Sequence, residues 1–220
     1  MGKIYIFDIC GTLFQSNTTF DFLNFFLSND KGYQRFKKIY KTFIWRILNK
    51  IIKHVFHCDL TRILAVKYLK GYHKDELLTA ANNFYENRLL TKKNTIIHNE
   101  LNEKLNDKTS IVILASATLD FIAETIAQKL NCPTFYGTSL IYDNKGYCKG
   151  SIKNDLLGRK LKKLSSKYQR PFEEVYTDDI SDISLLINSN KQYIISYPKT
   201  IYRWKKIIKR HQWHAKLIEY

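Results

Sequence analysis

A chain of 220 residues with 45% hydrophobic and 25% charged residues, three prolines and eight glycines can bury a sizeable core and has no stretch that reads as a linker, which excludes a disordered or fibrous protein. Its 36 Lys and Arg against 20 Asp and Glu leave a net charge of +16, which favours anionic partners: phosphorylated metabolites, nucleic acid or anionic lipid. Four cysteines, Cys10, Cys58, Cys132 and Cys148, without a C-x-x-C pair, in a chain that opens on a strand pattern, point to a reducing cytoplasm.

Lys3 to Phe7 alternates β-branched and aromatic residues and reads as a strand closed by Asp8. Phe20 to Leu27 reads as a helix behind the capping candidates Ser16, Asn17 and Thr18. Phe36, Ile39, Tyr40, Phe43, Ile44, Ile47, Leu48, Ile51 and Val55 then recur at three and four, which predicts one helix over Phe36 to Val55. Lys37, Lys38, Lys41, Arg46, Lys50 and Lys53 interrupt it, so it is too charged to cross a membrane. Its first reading is a helix packed on its neighbours; its second is an amphipathic helix lying on anionic lipid, which adds peripheral membrane contact to the expectations. Helical patterns continue over Asp59 to Leu69, Asp75 to Leu90 and Thr95 to Leu105.

The rhythm changes at Ser110. Ile111 to Leu114 is a continuous apolar run of the kind a parallel strand covered on both faces needs, and it leads through Ser116 into a helix from Leu119 to Leu130. A short strand follows at Thr134 to Tyr136, then a hairpin over Leu140 to Tyr142 and Tyr147 to Lys149 with Asp143-Asn144-Lys145-Gly146 at its tip. After it come a helix from Asp155 to Lys167, a strand at Glu174 to Thr177, a helix from Asp182 to Ile187, a strand at Tyr193 to Ser196 and a basic helix after Pro198. The alternation implies an α/β fold built on a doubly wound parallel sheet that the first strand must join, with the strandless stretch from Phe14 to Leu105 inserted as an all-helical lobe.

In such sheets ligands bind beyond the carboxyl ends of the strands. Asp8 ends the first strand, Ser116 follows Ile111 to Leu114, and Asp178, Asp179 and Asp182 follow the strand at Glu174 to Thr177; Lys160 lies on the helix after the hairpin. Singly, a turn, a helix cap or a solvated lysine accounts for each of them. Together they are the equipment for phosphoryl transfer through an aspartyl-phosphate: a nucleophilic carboxylate, a second acidic group to share a hard divalent cation, and a hydroxyl and a lysine for the phosphoryl oxygens.

In chain order, FDICGTL, ILASAT, GRKLKKL and YTDDISDISLL resemble the four motifs of the haloacid dehalogenase (HAD) superfamily. The hairpin DNKGYCKG, and the ending made of Pro198, a basic helix and Trp213, are similar to its phosphoserine-phosphatase-like branch, which carries a helical cap after the first motif. The resemblance implies a HAD-like Rossmannoid core over residues 1–13 and 107–220, a helical cap over 14–106, Mg²⁺ as cofactor and a small phosphorylated substrate. It makes Asp8 the nucleophile and a metal ligand, Cys10 a ligand through its backbone carbonyl, Asp178 the other carboxylate, and Asp182 a residue that orients or ligates the metal. Ser116 and Lys160 would hold the phosphoryl oxygens, with Ala117 also at the phosphate and main-chain N–H groups around Gly11 and Thr12 completing an anion nest.

The sequence departs from that pattern in two places. Thr177 and Asp179 replace the family's glycine and serine, which makes Asp179 a further candidate for the metal. Cys10 replaces the aspartate that protonates the leaving group and then activates water, a contribution of about 10²- to 10⁴-fold. Three readings stay open: a phosphatase whose leaving group needs little help, such as an acyl phosphate or pyrophosphate; transfer to an acceptor other than water; and binding without turnover.

Other patterns carry less. Cys10 as a thiol nucleophile lacks the arginine after five intervening residues, a place taken by Ser16, and Gly146 to Lys153 is not a phosphate-binding loop. His54, His57 and Cys58 lack a fourth ligand for zinc. The closing KTIYRWKKIIKRHQWHAKL interleaves bases with aromatics as a nucleic-acid grip would, yet Ile201, Trp204, Ile207 and Ile208 form a stripe suited to covering a sheet, and nucleic acid is set aside.

Overall fold

Short apolar runs make the middle of the sheet, because a strand covered on both faces has no polar side to offer. In the computed structural model, which describes residues 2–56, 58–169 and 171–219, β1 (Ile4–Phe7) lies between β2 (Ile111–Leu119) and β5 (Phe172–Thr177) and is parallel to both. The seven strands run in the order β4-β3-β2-β1-β5-β6-β7, where β3 is Phe135–Tyr142, β4 Cys148–Asn154, β6 Ser189–Ser196 and β7 Lys216–Glu219. All neighbours are parallel except the β3–β4 hairpin. The chain builds outward from β1 through β2 and β3, then crosses back to lay β5, β6 and β7 on the other side, so the order reverses between β1 and β5. Open, doubly wound sheets place their ligands at that switch point.

The stretch between β1 and β2 is helical among the described residues: α1 (Thr18–Phe26), α2 (Lys31–Tyr40), α3 (Phe43–Phe56), α4 (Leu60–Val66), α5 (Lys74–Phe84) and α6 (Thr95–Asn106). Its core is continuous with one face of the sheet. Phe22 and Leu23 of α1, Phe84 of α5 and Leu101 of α6 share a buried cluster with Phe7, Leu114 and Phe121, the last on α7 (Asp120–Lys129). The other face is covered by α8 (Lys160–Ser165), α9 (Ile183–Ile187) and α10 (Ile201–His211), with Trp204 fully buried in the second cluster. That burial places the Ile201, Trp204, Ile207 and Ile208 stripe as a cover for the sheet.

Several expectations change. The strands expected separately at Thr134 to Tyr136 and Leu140 to Tyr142 are the single β3, and β2 runs on past Ser116 to Leu119. The helix expected over Phe36 to Val55 is two, because Thr42 breaks it: its Oγ1 donates to the Ile39 carbonyl at 2.7 Å and accepts from Trp45 N at 3.4 Å, a local bond that competes with continuing the helix. The helix expected over Asp155 to Lys167 shrinks to α8, with β4 reaching Asn154. A seventh strand, β7, follows the basic helix; of its four residues only Ile218 is buried, which leaves no alternation to read. His57 lies outside the described residues.

Candidate active site at the β1–β5 switch point

Asp8 is the first residue past β1 and is 4% exposed. Its main-chain N donates to the Tyr176 carbonyl at 2.9 Å, which ties it to β5, and its Oδ1 accepts from Ile9 N at 2.6 Å. Its Oδ2 accepts from Lys160 Nζ at 2.8 Å, and the same ammonium donates to Asp182 Oδ2 at 2.7 Å. Lys160, 3% exposed at the head of α8, therefore bridges two buried carboxylates whose elements lie far apart in sequence. Asp182 Oδ2 also accepts from Thr177 Oγ1 at 2.7 Å, while Asp182 Oδ1 is buried without a hydrogen-bond partner among the described residues.

Asp178 follows β5 as Asp8 follows β1, so neighbouring strands deliver both carboxylates to one cavity of about 710 Å³. Thr12 fixes it from the opposite loop: Thr12 Oγ1 donates to Asp178 Oδ1 at 3.3 Å and accepts from Asp178 N at 3.0 Å. The loop comes so close that a side chain at Gly11, which has φ +66°, would collide with the Asp178 carboxylate. Asp179 lines the cavity too, but its Oδ1 accepts from Ser181 N at 2.8 Å as a helix cap.

Electrostatics follow from that crowding. Burial, opposed by Lys160, raises the Asp8 carboxyl above its ordinary range. Burial and the charges of Asp8 and Asp179 hold Asp178 well above its range. Asp182 is pushed up to about 6, by burial foremost. For Lys160, burial works against the charge, yet Asp182 and Asp8 more than offset it and its pKa lies above that of an ordinary lysine. Four carboxylates thus share a site in which, among the described residues, every ion pair they make runs to Lys160.

Among the described residues no three His, Cys, Asp or Glu side chains form a ready metal-ligating group. Asp8, Asp178 and Asp182, however, outnumber the one ammonium that pairs among them, and the oxygen-only donor set suits a hard divalent cation that also takes main-chain oxygens and waters.

The remaining expected residues fall around this pair. Ser116 is fully buried on β2 beside Asp8, and its Oγ donates to Cys10 Sγ at 3.7 Å. Ala117 lines the cavity, but its carbonyl accepts from Arg62 Nη2 at 2.7 Å. The expected anion nest is turned inward: Gly11 N donates to the Ser16 carbonyl at 3.3 Å and Thr12 N to that of Ile9 at 3.4 Å, because the loop closes on itself before helix α1. Cys10 Sγ lies 2.8 Å from Thr18 Oγ1, and its pKa is raised to about 11 by burial and then by Asp8. At neutral pH it is a thiol, so it is neither a thiolate nucleophile nor a competent base.

Sequence reasoning missed Arg62. It is 5% exposed on α4, lines the cavity, and donates to Asp155 Oδ1 at 2.8 Å and Thr138 Oγ1 at 2.6 Å. One arginine among 36 bases carries no signal of its own; its position on the same helix face as Ala65 and Val66 is the only hint. Arg203 of α10 and Lys53 of α3 also reach the cavity.

Comparison with known proteins agrees with this architecture. A protein of unknown function from Bordetella pertussis Tohama I superposes with a TM-score of 0.71 at 16% identity, over 98% of this chain and 99% of the other. A substrate-bound phosphoserine phosphatase complex gives 0.59 at 16%, covering 96% and 98%, and a cytosolic 5′-nucleotidase IIIB bound to cytidine gives 0.60 at 11%, covering 99% and 80%. Among curated proteins no sequence matches it. The sequence model of the haloacid dehalogenase-like hydrolases matches residues 5–186, and with most of the chain inside that match the protein belongs to this family.

Proposed function

We propose that the protein is a Mg²⁺-dependent phosphoryl-transfer enzyme, most simply a phosphomonoester hydrolase acting on a small phosphorylated substrate, with residues 1–13 and 107–220 as catalytic core and 14–106 as cap. Asp8 Oδ attacks phosphorus in line, the bond from phosphorus to the leaving oxygen breaks, and that oxygen takes a proton from solvent; water then attacks the aspartyl-phosphate, returns a proton to solvent and releases inorganic phosphate with Asp8 restored. Asp8, Asp178 and the Cys10 carbonyl would hold Mg²⁺, with Asp182 behind them; when bound, the cation would neutralise charge on the phosphoryl oxygens. Lys160 and Ser116 hold those oxygens, and the lysine lessens repulsion between Asp8 and its anionic substrate.

The observation that carries this reading is the delivery of Asp8 and Asp178 by adjacent strands into one cavity, with Lys160 bonded to Asp8. Four free cysteines among the described residues suit the cytoplasm as its place of work. The neutral Cys10 thiol favours a second reading: an enzyme restricted to good leaving groups or to transfer, or a binding protein that has given up turnover. The test is Mg²⁺-dependent phosphate release from a panel of monoesters together with an acyl phosphate. Turnover that falls by about 10⁴-fold or more in Asp8→Asn supports the enzyme. No release from any substrate, with anion binding unchanged in Asp8→Asn, favours the binding protein.

A further inference from the structure

Helix α3 has fourteen residues and buries none of them. Phe43, Ile44, Ile51 and Val55 are 74%, 80%, 55% and 58% exposed, and Ile47 and Leu48 share the same side. The opposite edge is fastened down. Trp45 Nε1 donates to Thr61 Oγ1 at 2.8 Å, Asn49 Nδ2 donates to Asp59 Oδ1 at 3.2 Å, and Thr61 N donates to Asn49 Oδ1 at 3.1 Å. The orientation of the helix is therefore set by bonds to the N-terminal end of α4, and the apolar stripe points away from the protein because of them, a cost that single scattered surface hydrophobics do not carry.

The charge around this stripe has one sign. Residues 31–56 hold eight lysines and arginines and no Asp or Glu, so a charge of +8, half the protein's net charge, sits on α2, α3 and the turn between them. A second copy of the chain covering the stripe would bring these bases against their own duplicates, and the cover would then carry a like-charge penalty. A nucleic acid offers phosphate to the bases but nothing to isoleucine and leucine. A surface that presents hydrocarbon beneath a layer of negative charge satisfies both halves of the helix at once.

We propose that α3 lies in the headgroup region of an anionic bilayer, its Phe43–Val55 stripe sunk into the acyl boundary and the bases of α2 and α3 on the lipid phosphates. No helix of the described residues is long and apolar enough to cross a membrane, so the contact is peripheral. Because Lys53 of the same helix lines the cavity of Asp8 and Asp178, docking holds the cavity mouth beside the lipid surface. The docking stands independently of the proposed chemistry, and its test reads no turnover.

The experiment is co-sedimentation with vesicles of equal parts phosphatidylcholine and phosphatidylglycerol, and with vesicles of phosphatidylcholine alone. The wild type is expected to sediment with the first and to remain in solution with the second. Phe43→Ser, Ile44→Ser and Ile51→Ser together, at exposed positions that leave the melting temperature in place, should weaken partitioning by about a hundredfold or more. Lys37→Glu, Lys41→Glu and Arg46→Glu together should weaken it by about a hundredfold at low salt, and the difference should shrink at high salt. Wild type left in the supernatant, equal binding to both vesicles, or apolar variants that sediment unchanged would overturn the proposal. So would a dimer in sedimentation equilibrium that the Ile44→Ser change dissolves, which would give the stripe to a second copy.

Discussion

Strand β5 carries two buried acidic centres, one at mid-strand and one just past its end, and they are balanced differently. Glu174, 3% exposed, accepts from Tyr176 Oη at 2.6 Å and from Lys191 Nζ at 3.2 Å, with Lys104 Nζ at 3.7 Å. Two lysines and a phenol converge on this carboxylate, although Lys104 also pairs with Glu103 at 3.0 Å, Lys191 with Glu173 at 3.9 Å, and Tyr176 Oη also donates to Glu100 at 3.1 Å. Past the strand end, Asp8 and Asp182 both pair with Lys160, Asp178 and Asp179 stand beside them with no ion pair among the described residues, and Asp182 Oδ1 has no hydrogen-bond partner there. The stacked rings of Phe7, Tyr176 and Tyr193, 4.2 and 4.3 Å apart, bridge the strands beside both centres. A buried charge that serves only the fold is neutralised by the fold, whereas the surplus at the strand ends destabilises the empty protein and fits a site completed by a cation and an anionic substrate.

Cys10→Asp should sharpen that contrast most. It adds a further carboxylate to the centre already in surplus and would supply the acid and base that the proposed reaction calls for, so hydrolysis of simple monoesters is expected to rise by about 10²-fold or more while the metal-free protein loses stability. Phosphate release and a thermal melt, run side by side, check both halves. An unchanged rate would mean that the thiol at position 10 does not limit turnover.

How much of this was legible depended on whether a residue's role is set locally. Asp8, Ser116 and Asp178 could be read because each follows an apolar strand run and the three recur together, in order, as parts of one motif set, although a turn or a cap would account for any of them singly. Arg62 could not, since its burial comes from Thr138 and Asp155, residues that only the folded chain brings near. The break at Thr42 was hidden because the three-and-four spacing runs straight through it. Helices α3 and α10 make the same point about cover. Both are basic and amphipathic in sequence, yet α10 buries Trp204 completely and α3 buries nothing. Periodicity says that a face avoids water; which neighbour shields it is a matter of topology.

Glu174→Gln breaks the balanced centre. The amide keeps the shape but leaves the Lys104 and Lys191 ammonium groups without their shared carboxylate and weakens the Tyr176 bond. Loss of one member of a buried, bonded network costs about 1–3 kcal/mol, discounted toward the lower figure because Lys191 is largely exposed, or roughly 2–6 °C in melting temperature. Turnover should hold, since nothing at the cavity moves.

Asp178→Asn is the smaller and more telling change, because its effect on stability has the opposite sign. With the Asp178 carboxyl held well above its ordinary 3.8 by burial and by Asp8 and Asp179, the folded state binds that proton more tightly than the unfolded chain. The stability this confers is complete below about pH 4 and is lost as pH rises through the shifted value, so at neutral pH the ionised group works against the fold. Asparagine keeps the Thr12 contact without the charge, and the metal-free variant should melt at or slightly above the wild type at pH 7 and slightly below it at pH 4, a difference of about 1 kcal/mol either way. Added Mg²⁺ should raise the melting temperature of the wild type and leave that of the variant nearly unmoved. If Asp178→Asn instead melts lower at pH 7 without Mg²⁺, as Glu174→Gln is expected to, then the strand-end carboxylates are as well compensated as the mid-strand one and the two centres of β5 differ in position alone.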